Sequence, residues 1–160
     1  MIKQIQISEL DRCLFVIREG FATVAKDFGI TEENFPDYRS FMKIEKMQYY
    51  WDNGFLMYGY YLNNNIIGYV SLVKKWGDDT AFELNNLAVL PEYRHKGYGK
   101  ELLDFCKDKV KEFGRDKIAI GIIDENVKLK NWYAENGFIH TGTKKFDGWP
   151  FTVGYMEYII

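Results

Sequence analysis

Apolar residues recur along the chain in two rhythms, and the changes of rhythm mark its elements. Ile2, Ile5 and Ile7 suit an opening strand, and Ser8 followed by Glu9 and Asp11 reads as a helix start. From residue 10 to 28, Leu14, Ile17, Phe21, Val24, Ala25 and Phe28 fall at helical spacing until Gly29 stops them, with Gly20 a candidate bend. Residues 31–36 (TEENFP) form a loop or cap before a second helix carrying Phe41, Ile44, Met47 and Tyr50 or Trp51. The rhythm then becomes that of strands: residues 55–62 and 66–74 are aromatic and β-branched runs around three asparagines, a hairpin whose turn needs positive φ.

After the turn at Gly77-Asp78-Asp79 a strand starts at Thr80, and its pattern slips. Phe82 and Leu84 share one parity, Leu87 and Val89 the other, with Asn85-Asn86 at the slip. Either the strand carries a bulge or it is buried on both faces. Leu87 to Leu90 run apolar up to Pro91, and from Gly99 onward Leu102, Leu103, Cys106, Val110 and Phe113 lie on one helical face that Gly114 ends. Residues 117–123 (KIAIGII) form a buried strand, so strand, helix and strand imply a right-handed crossover with parallel pairing. A short helix up to Gly137 follows, then two last strands, 138–145 and 151–159, around Asp147-Gly148-Trp149-Pro150.

Composition narrows the class without naming it. A chain of 160 residues, 47% hydrophobic and 28% charged, fits a single domain spanning 1–160. A formal net charge of −2 argues against a general nucleic-acid binder. With no long apolar segment or leader-like start, a cytoplasmic protein without membrane attachment is expected. Cys13 and Cys106 lack metal-type spacing and read as reduced, half-buried packing residues, and no metal is expected. The aromatic share is high at 18%; Phe21, Phe28, Tyr38, Trp76, Trp149 and Tyr155 are candidates to frame a pocket, although core packing accounts for most rings.

The chemistry concentrates between strand and helix in Arg94-His95-Lys96-Gly97-Tyr98-Gly99-Lys100. Glycines let successive N–H groups converge at a helix start, where the dipole favours an anion, and Arg94, Lys96 and Lys100 add positive charge. The expected ligand is a diphosphate. A P-loop is excluded because Glu101 follows Gly99-Lys100, and a dinucleotide fingerprint because its three glycines after a first strand are missing. Arg94-x-x-Gly97-x-Gly99, preceded by Leu-Ala-Val-x-Pro, instead resembles the signature of the GCN5-related N-acetyltransferase (GNAT) superfamily. A second segment, Asn126 to Phe138 with Tyr133 four residues before Gly137, resembles the same family, and the likeness covers about residues 54–139.

The resemblance implies an α/β (α+β) fold: a mixed central sheet of about six or seven strands, flanked by about four helices and splayed between two central parallel strands. It implies acetyl-coenzyme A as acyl donor, with its diphosphate on Arg94, His95, Lys96, Gly97, Tyr98, Gly99 and Lys100. The pantetheine arm would pair along Leu87, Ala88 and Val89, beside Asn126 and Tyr133. It also implies a small-molecule or peptide amine as acceptor, and a homodimer is compatible with it. Tyr133 would be the general acid to the leaving thiolate, or a hydrogen-bond donor to the sulfur, against a plain packing role. Glu83 is the candidate base, because a carboxylate in a mainly apolar strand suits proton abstraction; its rival reading is an exposed strand carboxylate. Asn126 could equally cap its helix. His95 and His140 read as solvated. The competing function is a non-catalytic acyl-coenzyme A sensor with the same grip.

Overall fold

A computed structural model describes residues 1–160. Its strands are β1 (Ile2–Gln4), β2 (Leu56–Leu62), β3 (Asn65–Lys74), β4 (Ala81–Val89), β5 (Lys117–Ile123), β6 (Ile139–Lys145) and β7 (Thr152–Ile159). Its helices are α1 (Leu10–Asp27), α2 (Ile44–Asp52), α3 (Tyr98–Glu112) and α4 (Val127–Glu135). The strands form one mixed sheet in the order β1-β2-β3-β4-β5-β7-β6, with β4 and β5 parallel and the other assigned neighbours antiparallel. The chain divides into two compact units, Met1–Val73 with Asn85–Cys106, and Lys74–Leu84 with Lys107–Ile160.

In the first unit the hairpin β2–β3 closes as expected, with Asn63 and Asn64 at φ 51° and 66°. Two positive φ values in a two-residue turn match the twist of the strands, and Asn bears them at little cost. The buried residues of α1 are Leu10, Cys13, Val16, Ile17, Gly20 and Ala25. Gly20 lies inside the unbroken α1. A Cβ there would come 2.9 Å from the Ala88 Cβ, so the glycine is where α1 crosses β4 at close range. Three sequence expectations shift. Ile7 leaves the opening strand for a 3-10 turn; α1 starts behind Glu9, whose carboxylate accepts from Gln6 N at 2.9 Å; and Phe41 ends a separate 3-10 turn, Arg39–Phe41, ahead of α2.

In the second unit the parallel rungs run Ala81–Lys117, Phe82–Ile118 and Glu83–Ala119, and β7 pairs along the whole of β5. Phe82 meets Phe113 at 5.6 Å between ring centroids. Lys107 donates to Asn136 O at 2.7 Å and lies over the Tyr158 ring, joining the last turns of α3 to the end of α4. In the first unit, Cys13 and Cys106 are free and fully buried rather than half-buried, and desolvation pushes the Cys13 thiol up to about 12. Trp76 is 95% exposed and frames no pocket.

Candidate active site

The parity slip in β4 is a bulge. Leu90 N donates to Ile67 O and Lys75 N to Ala81 O; these rungs lie nine residues apart on the β4 side and eight apart on the β3 side. One extra residue therefore sits in β4. It coincides with Asn86, at φ 57° and buried, and Ser71 Oγ donates to the neighbouring Asn85 carbonyl at 3.4 Å. Left-handed backbone inside a strand suits asparagine better than any residue but glycine. Leu87, Ala88 and Val89 follow the bulge, and Glu83 precedes it, half-buried on the rung opposite Ala119.

From Val89 the chain turns through Pro91–Tyr93 into the loop. The first hydrogen bond of α3 runs from Glu101 N to Gly97 O at 3.0 Å, so the amides of Tyr98, Gly99 and Lys100 have no acceptor within the helix. Ahead of them His95 and Gly97 hold φ values of 61° and 89°, one on each side of Lys96. Left-handed residues spaced this way turn successive N–H groups toward one point, the geometry of an anion nest. For His95 the conformation costs of order 1 kcal/mol, a strain expected where a ligand recovers it. The space beside Gly97 is open: a Cβ built there meets nothing within 4 Å. Amides without a helical acceptor, an open approach and the helix dipole fit a diphosphate.

The loop's cations divide. Arg94, expected on the anion, points its guanidinium at α1, donating from Nη1 to Thr23 Oγ1 at 2.8 Å and from Nη2 to Gly20 O at 2.5 Å. Partial burial lowers its pKa from the usual arginine value. Its side chain therefore ties the loop to the first helix. Lys100 pairs with Asp104 on the exposed face of α3, while Lys96 lies 5.7 Å over the Tyr93 ring. Tyr98 packs on Tyr60, whose hydroxyl donates to Glu101 at 2.5 Å; accepting that hydrogen bond, the Glu101 carboxylate pushes the Tyr60 phenol up to about 12. Local spacing showed nothing of this Tyr60–Glu101 clamp, whose partners are distant in sequence.

In the second unit Asn126 is the N-cap of α4, with Oδ1 accepting from Leu129 N at 3.1 Å. The capping role weighed in the sequence is thus real, and its Nδ2 takes no part in the cap. Tyr133 is buried near the end of α4, edge-on to Trp132 and Phe138 at 5.0 and 5.2 Å. His140 is partly exposed and bonds Asp124 Oδ1 at 3.0 Å, an oxygen that also accepts Lys130. Lys130 first, then His140, holds the Asp124 carboxyl below the usual range.

A mixed sheet with a parallel central pair, a bulged strand and an amide nest at the next helix defines the GNAT class of folds. The sequence profile of the acetyltransferase (GNAT) family matches residues 21–138, and the chain belongs to that family. An uncharacterized N-acetyltransferase of Mycobacterium bovis is 30% identical over 84 residues, which cover 52% of this chain and 53% of the relative. The chain thus spans about half the length of the curated relatives it matches. Among solved structures, the ribosomal-protein-alanine N-acetyltransferase of Brucella melitensis superposes with a TM-score of 0.78 at 18% identity, covering 100% of this chain and 99% of its own. The PaiA N-acetyltransferase of Thermoplasma acidophilum, determined with coenzyme A, gives 0.76 at 21% identity over 100% and 98%. At these identities the two structures share the fold.

Proposed function

We propose that the protein is a cytoplasmic, acetyl-coenzyme A dependent N-acetyltransferase that modifies a primary amine. The observation that carries this reading is the nest ahead of α3, with His95 and Gly97 in left-handed backbone and the first helical amides lacking acceptors. In this reading the amides of residues 95–100 bind the diphosphate, and the cofactor supplies an acetyl thioester. Main-chain N–H groups at Leu87 to Val89, beyond the bulge, polarise a carbonyl. Glu83 takes the proton of the attacking amine through water, and the Tyr133 phenol protonates or hydrogen-bonds the departing sulfur. The Asn126 amide nitrogen, which the cap does not use, meets the pantetheine arm. No helix is long and apolar enough to cross a membrane.

Thiol release from acetyl-coenzyme A, measured across polyamines, amino acids, aminoglycosides and short peptides, tests the proposal. Turnover with at least one amine is expected. Tight coenzyme A binding without turnover across the panel would favour a sensor of the acetyl donor.

A further inference from the structure

An unused polar cluster in the first unit bears on the acceptor. Arg39, in the 3-10 turn ahead of α2, donates from Nε to Asn86 Oδ1 at 2.7 Å. Guanidinium nitrogens only donate, so the Asn86 amide must turn its oxygen toward Arg39. Its Nδ2 is then a donor on a residue 3% exposed, with no acceptor in the chain. Buried N–H groups in that state are uncommon and costly. The guanidinium itself is partly buried, 5.2 Å over the Phe21 ring, and its hydrogen-bond partner is a neutral amide rather than a carboxylate. Beside it in the turn, the Ser40 hydroxyl is also buried without a partner.

A cation with a planar fork and a buried amide N–H, without an acceptor to share, complement a carboxylate. Their place in the chain gives the carboxylate a purpose: Asn86 is the bulge residue immediately before Leu87 to Val89. We propose that Arg39 and Asn86 bind a carboxylate of the acceptor, so that the substrates are small amines carrying a carboxyl group, amino acids among them. This rests on the acetyltransfer reading above, and Arg39 and Asn86 act in it by setting specificity.

The test compares matched acceptors by thiol release: amino acids, their α-amides, and the amines that lack the carboxyl group. In the unaltered protein kcat/KM for the acid should exceed that for the amide by roughly 10- to 100-fold, the size of one charge-assisted hydrogen bond. Arg39→Gln should bring that ratio toward one, and Arg39→Lys should keep part of it. A ratio near one before mutation, or a ratio that Arg39→Gln leaves as it was, overturns the proposal. Independently of turnover and of how the variants fold, the Asn86 side-chain amide resonance is titrated in the unaltered protein with N-acetylglycine and with N-acetylglycinamide. A shift with the acid alone supports the site, whereas equal shifts or none overturn it. That selective shift without turnover of any amine would leave the carboxylate site standing and refute acetyltransfer; turnover without acid preference would do the reverse.

Discussion

Replacing Arg94 by Met separates two roles that the family motif merges. The Arg94 guanidinium makes two short hydrogen bonds to α1, to Thr23 Oγ1 and Gly20 O, across 71 and 74 residues of sequence. A hydrogen bond from a charged group is worth about 1.5–3 kcal/mol, and partial exposure places this pair toward the lower end, so losing both should cost about 2–3 kcal/mol. For a chain of this size each kcal/mol moves Tm by about 2–4 °C, which predicts a fall of roughly 5–10 °C in calorimetric unfolding without ligand. Arg94→Lys, able to reach one acceptor, should fall between. In a double-mutant cycle with Thr23→Val the two changes should couple by about 0.5–1.5 kcal/mol. Coenzyme A affinity should weaken as the loop loosens. An unchanged Tm in the ligand-free variant, with affinity lost, would instead make Arg94 a direct ligand of the diphosphate and refute the tie.

Three further outcomes are expected. Tyr133→Phe should reduce kcat by about 10²-fold or more while coenzyme A affinity holds, and an unchanged rate would leave Tyr133 a packing residue. Asn126→Ala should cost about 1 kcal/mol of stability through the lost cap, read by urea unfolding, because Leu129 N loses its acceptor. Asp78 accepts from the Thr80 hydroxyl and main chain and pairs with Lys117, and these contacts hold its carboxyl far below the usual range. Its stabilisation is complete above the unfolded carboxylate pKa near 4 and disappears as pH falls toward the lowered folded value. Asp78→Asn should therefore flatten the loss of Tm between about pH 4 and 2, and a parallel loss in both proteins would contradict the assignment.

What the sequence made legible is local. The asparagine turn of the hairpin, the buried face Leu102, Leu103, Cys106 and Val110 of α3, the parallel pairing and the parity slip at Asn85-Asn86 each follow from neighbouring residues, and each has its counterpart in the structure, while Phe113 falls beyond α3 and is exposed. Glycine spacing likewise pointed to the loop, although the left-handed His95 at its start carries no local signature. What escaped depends on partners far along the chain. Arg94 reaches Gly20 and Thr23, and Arg39 reaches Asn86 across 47 residues, so neither direction could be read from spacing. Gly20 looked like a helix flaw because its reason, the closeness of Ala88, lies on another element.

The account depends on a diphosphate held by the amides of residues 95–100, and calorimetric titration with coenzyme A and with pantetheine, which lacks that group, tests it most directly. Coenzyme A should bind with measurable heat, pantetheine far more weakly, and Gly97→Glu should abolish the difference by placing a carboxylate where the anion rests. Equal affinities for the two ligands, or undiminished coenzyme A binding by Gly97→Glu, would contradict it.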